Sequence, residues 1–159
     1  MATTCTQILK ASFLNNYGML EKAIDACPES AWAQSFGGFP FWQQAGHTFA
    51  AIDFFMRGKG EAAFDIGMDP ALFDLGNKEA KAPGKAELKA MAQRMIAYGA
   101  ECFDKIADED LAVLHAGVKE RMGRDMPTLA VLTLLAGHAM YHLGICDSVL
   151  RDNGKPGIL

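Results

Sequence analysis

The sequence predicts an all-α protein with the architecture of a four-helix bundle. Four long segments repeat apolar residues at spacings of three and four, Pro or Gly residues separate them, and no alternating strand pattern competes. The chain has 159 residues, half of them hydrophobic, which suits one domain with one core. We therefore expect a single bundle domain over residues 1–159, with a long connection between the second and third helices.

The first two helices are predicted in the N-terminal part of the chain. The first runs from about residue 4 to residue 27 and ends before Pro28, which cannot continue a helix comfortably. A glycine-containing turn at residues 36–40 follows. The second helix runs from about residue 40 to residue 57, and Pro40 is suited to its first helical position.

The last two helices are predicted in the C-terminal half. The third begins near Lys85 and has the clearest apolar stripe. The residues of that stripe are Leu88, Met91, Met95, Tyr98, Cys102 and Ile106. Residues 110–125 show a weaker pattern that could contain a short helix. The fourth helix runs from about residue 127 to residue 152 and ends at Asn153-Gly154, a pair suited to a left-handed helix end.

Residues 61–84 form the longest irregular segment. Asp69-Pro70 and Pro83-Gly84 mark it as loop. A connection of this length in a small domain is more often functional than idle. We expect it to lie near the mouth of a site or along the bundle flank, held by the apolar anchors Phe64, Leu72 and Phe73.

Charge and hydropathy argue against two kinds of partner. The net charge is −4 and Lys and Arg are not clustered, so nothing offsets a phosphate backbone and we expect no nucleic-acid binding. Residues 126–146 lack formal charge over a length that could span a membrane. Two histidines and two glycines interrupt that run, so we interpret it as a helix buried on two sides and expect no membrane partner.

The N-terminus and the cysteines predict a cytoplasmic location. The first ten residues have neither a charged n-region nor an apolar h-region, so no signal peptide is expected. The four cysteines are widely spaced and form no Cys-x-x-Cys pair. They are typical of free thiols in a reducing compartment.

Three of the four histidines fall inside helices that should form the core. His138 and His142 are four residues apart, so both imidazoles lie on one helix face, close enough to bind one divalent metal. His47 lies in the second apolar helix. Neutral imidazole is the commonest metal ligand, and buried imidazoles need partners. The alternative is three core histidines, each hydrogen-bonded to a neighbour, and spacing alone does not decide between the two.

Two further residues near this pattern have weaker support as ligands. Cys146 lies four residues after His142 but eight after His138, about 12 Å along the axis, so one ion cannot easily use all three. We expect Cys146 to be a core thiol. His115 lies between predicted helices and is expected at the surface.

Three other features near the histidines are expected to be structural. Tyr141 could orient a ligand through its hydroxyl, but a tyrosine that packs between helices is favoured. Asp53 lies six residues from His47, on a different face, and is expected to be a solvated acid rather than a partner of that histidine. The Phe54-Phe55-Met56 cluster and the methionines of the third helix are expected in the core.

These features resemble the DinB-like family of four-helix bundles, which includes the YfiT-type metalloproteins, over essentially the whole chain. Members carry one histidine on the second helix and a His-x-x-x-His pair with a following glycine on the fourth. The matching positions here are His47, the His138/His142 pair and Gly144. Members often place a basic residue before that glycine and a glutamine after it. This sequence departs from them, with Leu143 and Ile145 there.

The resemblance implies a metal site formed by His47, His138 and His142. An all-histidine set suits Zn²⁺, Ni²⁺ or Fe²⁺, and the ligands cannot decide among them. Three protein ligands leave a position open for water or substrate, as in catalytic rather than structural sites.

The family also implies candidate functions. It includes bacterial thiol S-transferases that use bacillithiol and mycothiol-dependent isomerases. The leading hypothesis is therefore a metal-dependent thiol S-transferase that joins a low-molecular-weight thiol to a small electrophile. The alternatives are a hydrolase that activates water at the metal and a non-catalytic metal-binding stress-response protein. The departures at Leu143 and Ile145 favour the non-catalytic alternative.

The fourth helix predicts self-association. Its core-facing positions are expected to be Val131, Leu135, His138, His142, Ile145 and Val149. Its opposite face is expected to carry Leu132, Ala136, Ala139, Met140 and Leu143. Monomers rarely expose such an apolar patch, so we expect a symmetric homodimer through this helix, as the resemblance also implies. The competing explanation is that residues 61–84 or 110–125 cover the face within one chain.

Overall fold

The computed structural model describes residues 4–159. The expectation about a signal peptide rests on the first ten residues, and the first three of these lie outside the described residues. The predicted all-α bundle is confirmed. In chain order the helices are α1 (Cys5–Ala26), α2 (Glu29–Trp32), α3 (Phe41–Met56), α4 (Lys85–Phe103), α5 (Ala116–Met122) and α6 (Thr128–Asp152). The long helices α1, α3, α4 and α6 form the bundle, and two 3-10 turns, Pro70–Phe73 and Asp108–Ala112, lie in the connections.

The ends of the long helices follow local sequence signals. Thr4 Oγ1 accepts a hydrogen bond from the Gln7 amide, and the Gln7 side chain accepts one from the Thr4 amide, which caps α1 on both sides. Gly154, just after α6, has a φ of 69°, which agrees with the predicted left-handed helix end. Pro40 is the cap of α3 and not its first helical residue, because its backbone is extended, with ψ of 153°.

A hairpin with two residues in each strand precedes α3. The sequence pattern did not indicate it. β1 (Ser35–Phe36) pairs antiparallel with β2 (Phe39–Pro40). Gly37 and Gly38 join them with φ of 60° and 92°, a conformation that glycine adopts without steric cost. Two residues per strand are too few for an alternating pattern to be visible in the sequence.

In the bundle, α3 and α1 each contact both α4 and α6. The centre of the core is formed by side chains with essentially no solvent exposure: Tyr17, Phe41, Phe49, Phe73, Leu20, Ile24, Ile52, Leu88, Met95, Leu135, Leu143 and Leu150. Within the described residues, α6 is the one helix long and apolar enough, by length and composition, to cross a membrane. A core helix meets the same test, and the buried face of α6 packs against α1 and α3.

The predicted faces of α6 are partly wrong. Leu132, Ala139 and Leu143 were expected on the outer face but are buried, whereas Ile145 was expected in the core and is half-buried. Because α6 contacts both α1 and α3, its buried arc is wider than one stripe. Its exposed apolar residues are instead Leu129, Leu134, Met140 and Tyr141.

Two expectations about the end of α3 are also corrected. Phe55 and Met56 are in the core, but Phe54 is 38% exposed and lies beside the Arg121 guanidinium. Asp53 is not a solvated acid. The residue is 8% exposed, and its carboxylate pairs with Arg57 and accepts hydrogen bonds from other elements. The donors are the Phe64 amide at 3.2 Å and the Tyr98 hydroxyl at 3.3 Å.

Candidate metal centre

The three histidines predicted as ligands lie together where α3 packs against α6. The ring centroids are 5.1 Å apart for His47 and His138, 5.2 Å for His47 and His142, and 4.7 Å for His138 and His142. One nitrogen of each ring lies within 4.8 Å of the others, so the three could hold one metal ion. His115 is elsewhere: its Nδ1 accepts a hydrogen bond from the Val118 amide and caps α5.

A backbone carbonyl orients His47. The Nδ1 of His47 lies 3.2 Å from the carbonyl oxygen of Phe73, so that nitrogen carries the proton and donates. The other nitrogen of His47, Nε2, then has a free lone pair and lies 3.2 Å from Nε2 of His138. Two imidazoles at about 2.05 Å from a tetrahedral ion would have nitrogens roughly 3.3 Å apart. The observed spacing therefore matches what a shared metal requires.

A buried glutamine orients His142. The Nδ1 of His142 lies 2.6 Å from Oε1 of Gln44, so it donates to that oxygen and leaves Nε2 free for a metal. Gln44 is 1% exposed, and its Nε2 donates to the Phe36 carbonyl at 3.0 Å, which fixes the orientation of the amide. Sequence reasoning missed Gln44. The available signal was a glutamine pair inside the apolar segment that carries His47.

His138 has no such partner. Its Nδ1 is buried and has no hydrogen-bond partner in the part of the chain that the structure describes. Its Nε2 faces the Nε2 lone pair of His47, so without an ion the His138 Nε2 must carry the proton and donate it to His47. A divalent ion would satisfy all three Nε2 lone pairs together. The donor set therefore fits a metal of the kind that neutral imidazoles bind.

The electrostatic environment keeps all three rings neutral. Burial lowers the pKa of His47. Burial and then the nearby His47 lower the pKa of His138 to about 4, and burial followed by His138 and His47 lowers that of His142 to about 3. At neutral pH, protons therefore compete little with a metal for these nitrogens.

A cavity of about 380 Å³ opens beside two of the three ligands. Its lining comes from α3, from the long connection and from α6: His47, Ala50, Ala51, Phe54, Phe55, Pro70, Phe73, Asp74 and His138. Residues 61–84 were expected near the mouth of the site or along the bundle flank, and three lining residues, Pro70, Phe73 and Asp74, belong to that segment. The volume lies at the small end of the range for small-molecule sites.

The connection is anchored as a wall of this cavity. Phe73 is 2% exposed, and its ring packs so closely on Gly46 that a Cβ there would overlap it. The side-chain amide of Gln43 lies 3.0 Å from the Asp74 carbonyl and also reaches the carbonyls of Leu72 and Asn77. Of the predicted anchors, Phe64 also stacks on Tyr98 at 4.1 Å and Leu72 packs against the core.

The remaining candidate residues lie outside the cluster. Cys146 is fully buried in the core, as expected, and burial raises the pKa of its thiol. Tyr141 is 66% exposed with its ring against His142, so the expectation that it packs between helices is wrong. Leu143 is buried and Ile145 lies near Gly37, and neither lines the cavity.

One family model matches most of the chain. The model of the DinB superfamily matches residues 13–146, a span that contains the three histidines, Gln44 and the long connection. No curated protein matches the chain.

Proposed function

Because this chain belongs to the DinB superfamily, we propose that it is a metal-dependent thiol S-transferase, which joins a low-molecular-weight thiol to a small electrophile. The observation that carries the proposal is the position of the three histidines beside an apolar cavity. Among the described residues, the cavity lining contains no Ser, Thr, Cys, Lys or Tyr side chain. The commonest side-chain nucleophiles are therefore absent from the lining, and we propose that a second small molecule supplies the nucleophile.

His47, His138 and His142 would hold one divalent ion, Zn²⁺, Ni²⁺ or Fe²⁺, through their Nε2 atoms. Such an ion would lower the pKa of a thiol at its open position, which makes the sulfur nucleophilic near neutral pH. Gln44 holds the His142 ring, and the Phe73 carbonyl holds the His47 ring, in the tautomer that leaves Nε2 free. These two side chains therefore need little rearrangement to bind an ion.

The cavity walls would bind the electrophile and exclude water. Phe55 and Phe73 are buried and Phe54 is partly exposed, so the aromatic surface can cover an apolar molecule. In the transfer, the thiol sulfur forms the new S–C bond. The leaving group of the electrophile departs with the bonding electron pair, and the thiol proton passes to solvent.

The proposal includes a cytoplasmic location. Cys5, Cys27, Cys102 and Cys146 are all free thiols, which supports a reducing compartment. Low-molecular-weight thiols stay reduced in the same compartment, so the cosubstrate would be available there.

A metal-dependent hydrolase is the second candidate. The lack of Ser, Thr, Cys, Lys and Tyr side chains in the described cavity lining fits attack by water as well as attack by a thiol. A non-catalytic metal-binding stress-response protein is the third possibility, and turnover separates it from the other two.

The test combines metal analysis with two assays on untagged protein. We expect bound metal and faster conjugation of cysteine or another small thiol to the electrophile 1-chloro-2,4-dinitrobenzene. A chelator should remove the conjugation activity. His138→Ala should also remove it, whereas His115→Ala, which alters a histidine outside the cluster, should keep it.

The contradicting results are equally definite. Ester cleavage of 4-nitrophenyl acetate that needs metal but no thiol would replace the transferase with a hydrolase. Bound metal without turnover in either assay would leave the non-catalytic function. Conjugation that survives both chelation and His138→Ala would show that the histidine site is not the catalytic one.

A further inference from the structure

The three histidines of the candidate metal centre supply no charge of their own. His47, His138 and His142 are neutral, because burial lowers the pKa of each ring. A divalent ion on these rings would therefore bring its full double charge to the edge of a cavity lined mostly by apolar side chains. Charge in such surroundings is costly unless an opposite charge lies nearby. A negative group beside the ligands would stabilise the ion.

Asp74 is the one residue of the described cavity lining with a formal charge. It follows Phe73, whose carbonyl oxygen lies 3.2 Å from Nδ1 of His47. Burial lowers the pKa of His47, and the Phe73 carbonyl and the Asp74 charge both oppose that lowering. The Asp74 carboxylate is therefore close enough to stabilise positive charge on this ligand ring.

Hydrogen bonds at two points fix Asp74 on the cavity wall. The side-chain amide of Gln43 donates to the Asp74 carbonyl at 3.0 Å, and Gln43 is 2% exposed. Gln43 lies four residues before His47 on α3, so both side chains leave the same face of the helix. Oδ1 of Asp74 accepts a hydrogen bond from the Gly76 amide at 2.8 Å. One face of α3 therefore both provides a ligand and holds the acid.

The charge of Asp74 is not neutralised by an ion pair within residues 4–159. Lys78 lies with its Nζ 4.0 Å above the Phe39 ring and not in the cavity. The Arg121 guanidinium lies against Phe54, and its Nε donates to the Phe54 carbonyl. The negative charge of Asp74 is therefore available to a cation at the cavity.

We propose that Asp74 is the counter-charge of the divalent ion and raises the affinity of the histidine site for it. The proposal rests on the proposed function for its premise that His47, His138 and His142 hold an ion. Asp74 acts through its charge from the cavity wall and is not itself a ligand. The competing explanation is that Asp74 only stabilises its own turn through Gly76.

The test measures the affinity of the full chain for Zn²⁺ by titration against a competing chelator. His138→Ala identifies the part of the binding that belongs to the histidine site. Asp74→Asn removes the charge but keeps an oxygen acceptor for the Gly76 amide. At an ionic strength of about 0.01 M, we expect Asp74→Asn to weaken Zn²⁺ binding about fivefold. At about 1 M the Debye length is about 3 Å, so the difference should fall below about twofold.

Two further variants separate the charge from the structure of the turn. Asp74→Glu keeps the charge on a longer side chain, so its affinity should stay within about twofold of the unaltered chain. Asp69→Asn is the matched control, since Asp69 accepts from the Ala71 amide in the same connection but does not line the cavity. It should change the affinity by less than about twofold. Far-UV circular dichroism checks that each variant is folded.

Several results would overturn the proposal: equal Zn²⁺ affinities of Asp74→Asn and the unaltered chain at low salt, the same loss at both salt concentrations, or an equal loss in Asp69→Asn. An Asp74→Glu variant as weak as Asp74→Asn would also favour the turn over the charge.

These outcomes are separate from thiol conjugation. A salt-dependent effect of Asp74→Asn without any conjugation activity would reject the transferase and keep the counter-charge. Conjugation with equal Zn²⁺ affinities would keep the transferase and reject the counter-charge.

Discussion

Oε1 of Gln44 lies 2.6 Å from Nδ1 of His142, and both side chains are buried. This pair joins α3 to α6 across 98 positions of sequence. Because the amide is itself fixed by the Phe36 carbonyl, it determines which nitrogen of His142 carries the proton. The orientation of the His142 ring therefore depends directly on how α3 packs against α6.

The first prediction concerns Gln44. Gln44→Leu should weaken metal binding by about 10- to 100-fold, because His142 loses the acceptor that fixes its tautomer. Gln44→Glu keeps an oxygen at that point and should bind metal far better than Gln44→Leu. Zn²⁺ titration against a competing chelator gives both affinities, and equal affinities of Gln44→Leu and the unaltered chain would contradict the role of Gln44.

The second prediction concerns the close contact of Gly46 with Phe73. Gly46→Ala should lower the free energy of unfolding by about 1–3 kcal/mol, because the new methyl group overlaps the Phe73 ring. Displacing Phe73 would also disturb the carbonyl that orients His47. Urea denaturation measures the change.

Gly18→Ala is the matched control for this substitution. Gly18 is also inside a long helix, but a Cβ there meets nothing within 4 Å. Alanine should be neutral or stabilising at that position by up to about 1 kcal/mol, because it favours the helix more than glycine does. Equal destabilisation by both variants would contradict the proposed contact.

The third prediction is a loss of stability on acidification of the metal-free chain. Burial lowers the pKa of His138 to about 4 and of His142 to about 3, both below the ordinary value of 6.5. Between pH 6.5 and those values the unfolded chain binds more protons than the folded chain, so stability rises with pH there and falls as pH drops. Urea midpoints at pH 7 and pH 5 should show the decrease. His142→Ala should reduce the size of the decrease, and an unchanged decrease would contradict the buried neutral state.

Many helix limits were predictable because caps and breakers are local. Thr4 with Gln7, Pro28 and Gly154 act within a few residues of the ends that they determine. That His138 and His142 lie together was predictable for a related reason, since their spacing on α6 puts them on one face.

The errors about Asp53 and Leu143 depend on contacts between distant segments. Periodicity placed Asp53 away from His47 but could not show that Phe64 and Tyr98 would donate to it. Likewise, the burial of Leu143 results from α6 packing against two neighbours, which a single stripe does not describe. The pairing of Gln44 with His142 needs the same knowledge of how α3 meets α6.

The fourth prediction is a homodimer, through a face of α6 different from the one expected from the sequence. Leu129 and Leu134 are exposed there and line an apolar groove of about 920 Å³. Residues of the 110–125 segment, Leu111 and Ala112, line one edge of this groove without filling it. A second copy would cover the exposed surface, and two-fold symmetry would pair α6 with itself.

Sedimentation equilibrium at micromolar concentration tests the dimer. We expect twice the 17.2 kDa mass of the chain. Leu134→Lys should shift the mass towards the monomer, because it would bury a charge in the interface. Ile8→Lys, at an exposed apolar position of α1, should leave the dimer intact. A mass near 17.2 kDa for the unaltered chain over the whole concentration range would rule the dimer out.

The most direct test of the metal centre is the metal content of untagged protein and of four single variants. We expect one divalent ion per chain, and loss of most of it in His47→Ala, His138→Ala and His142→Ala, because two imidazoles bind a metal far more weakly than three. His115→Ala removes a helix cap, which costs about 1 kcal/mol, but should keep the ion. Full metal content in the three cluster variants would contradict the account.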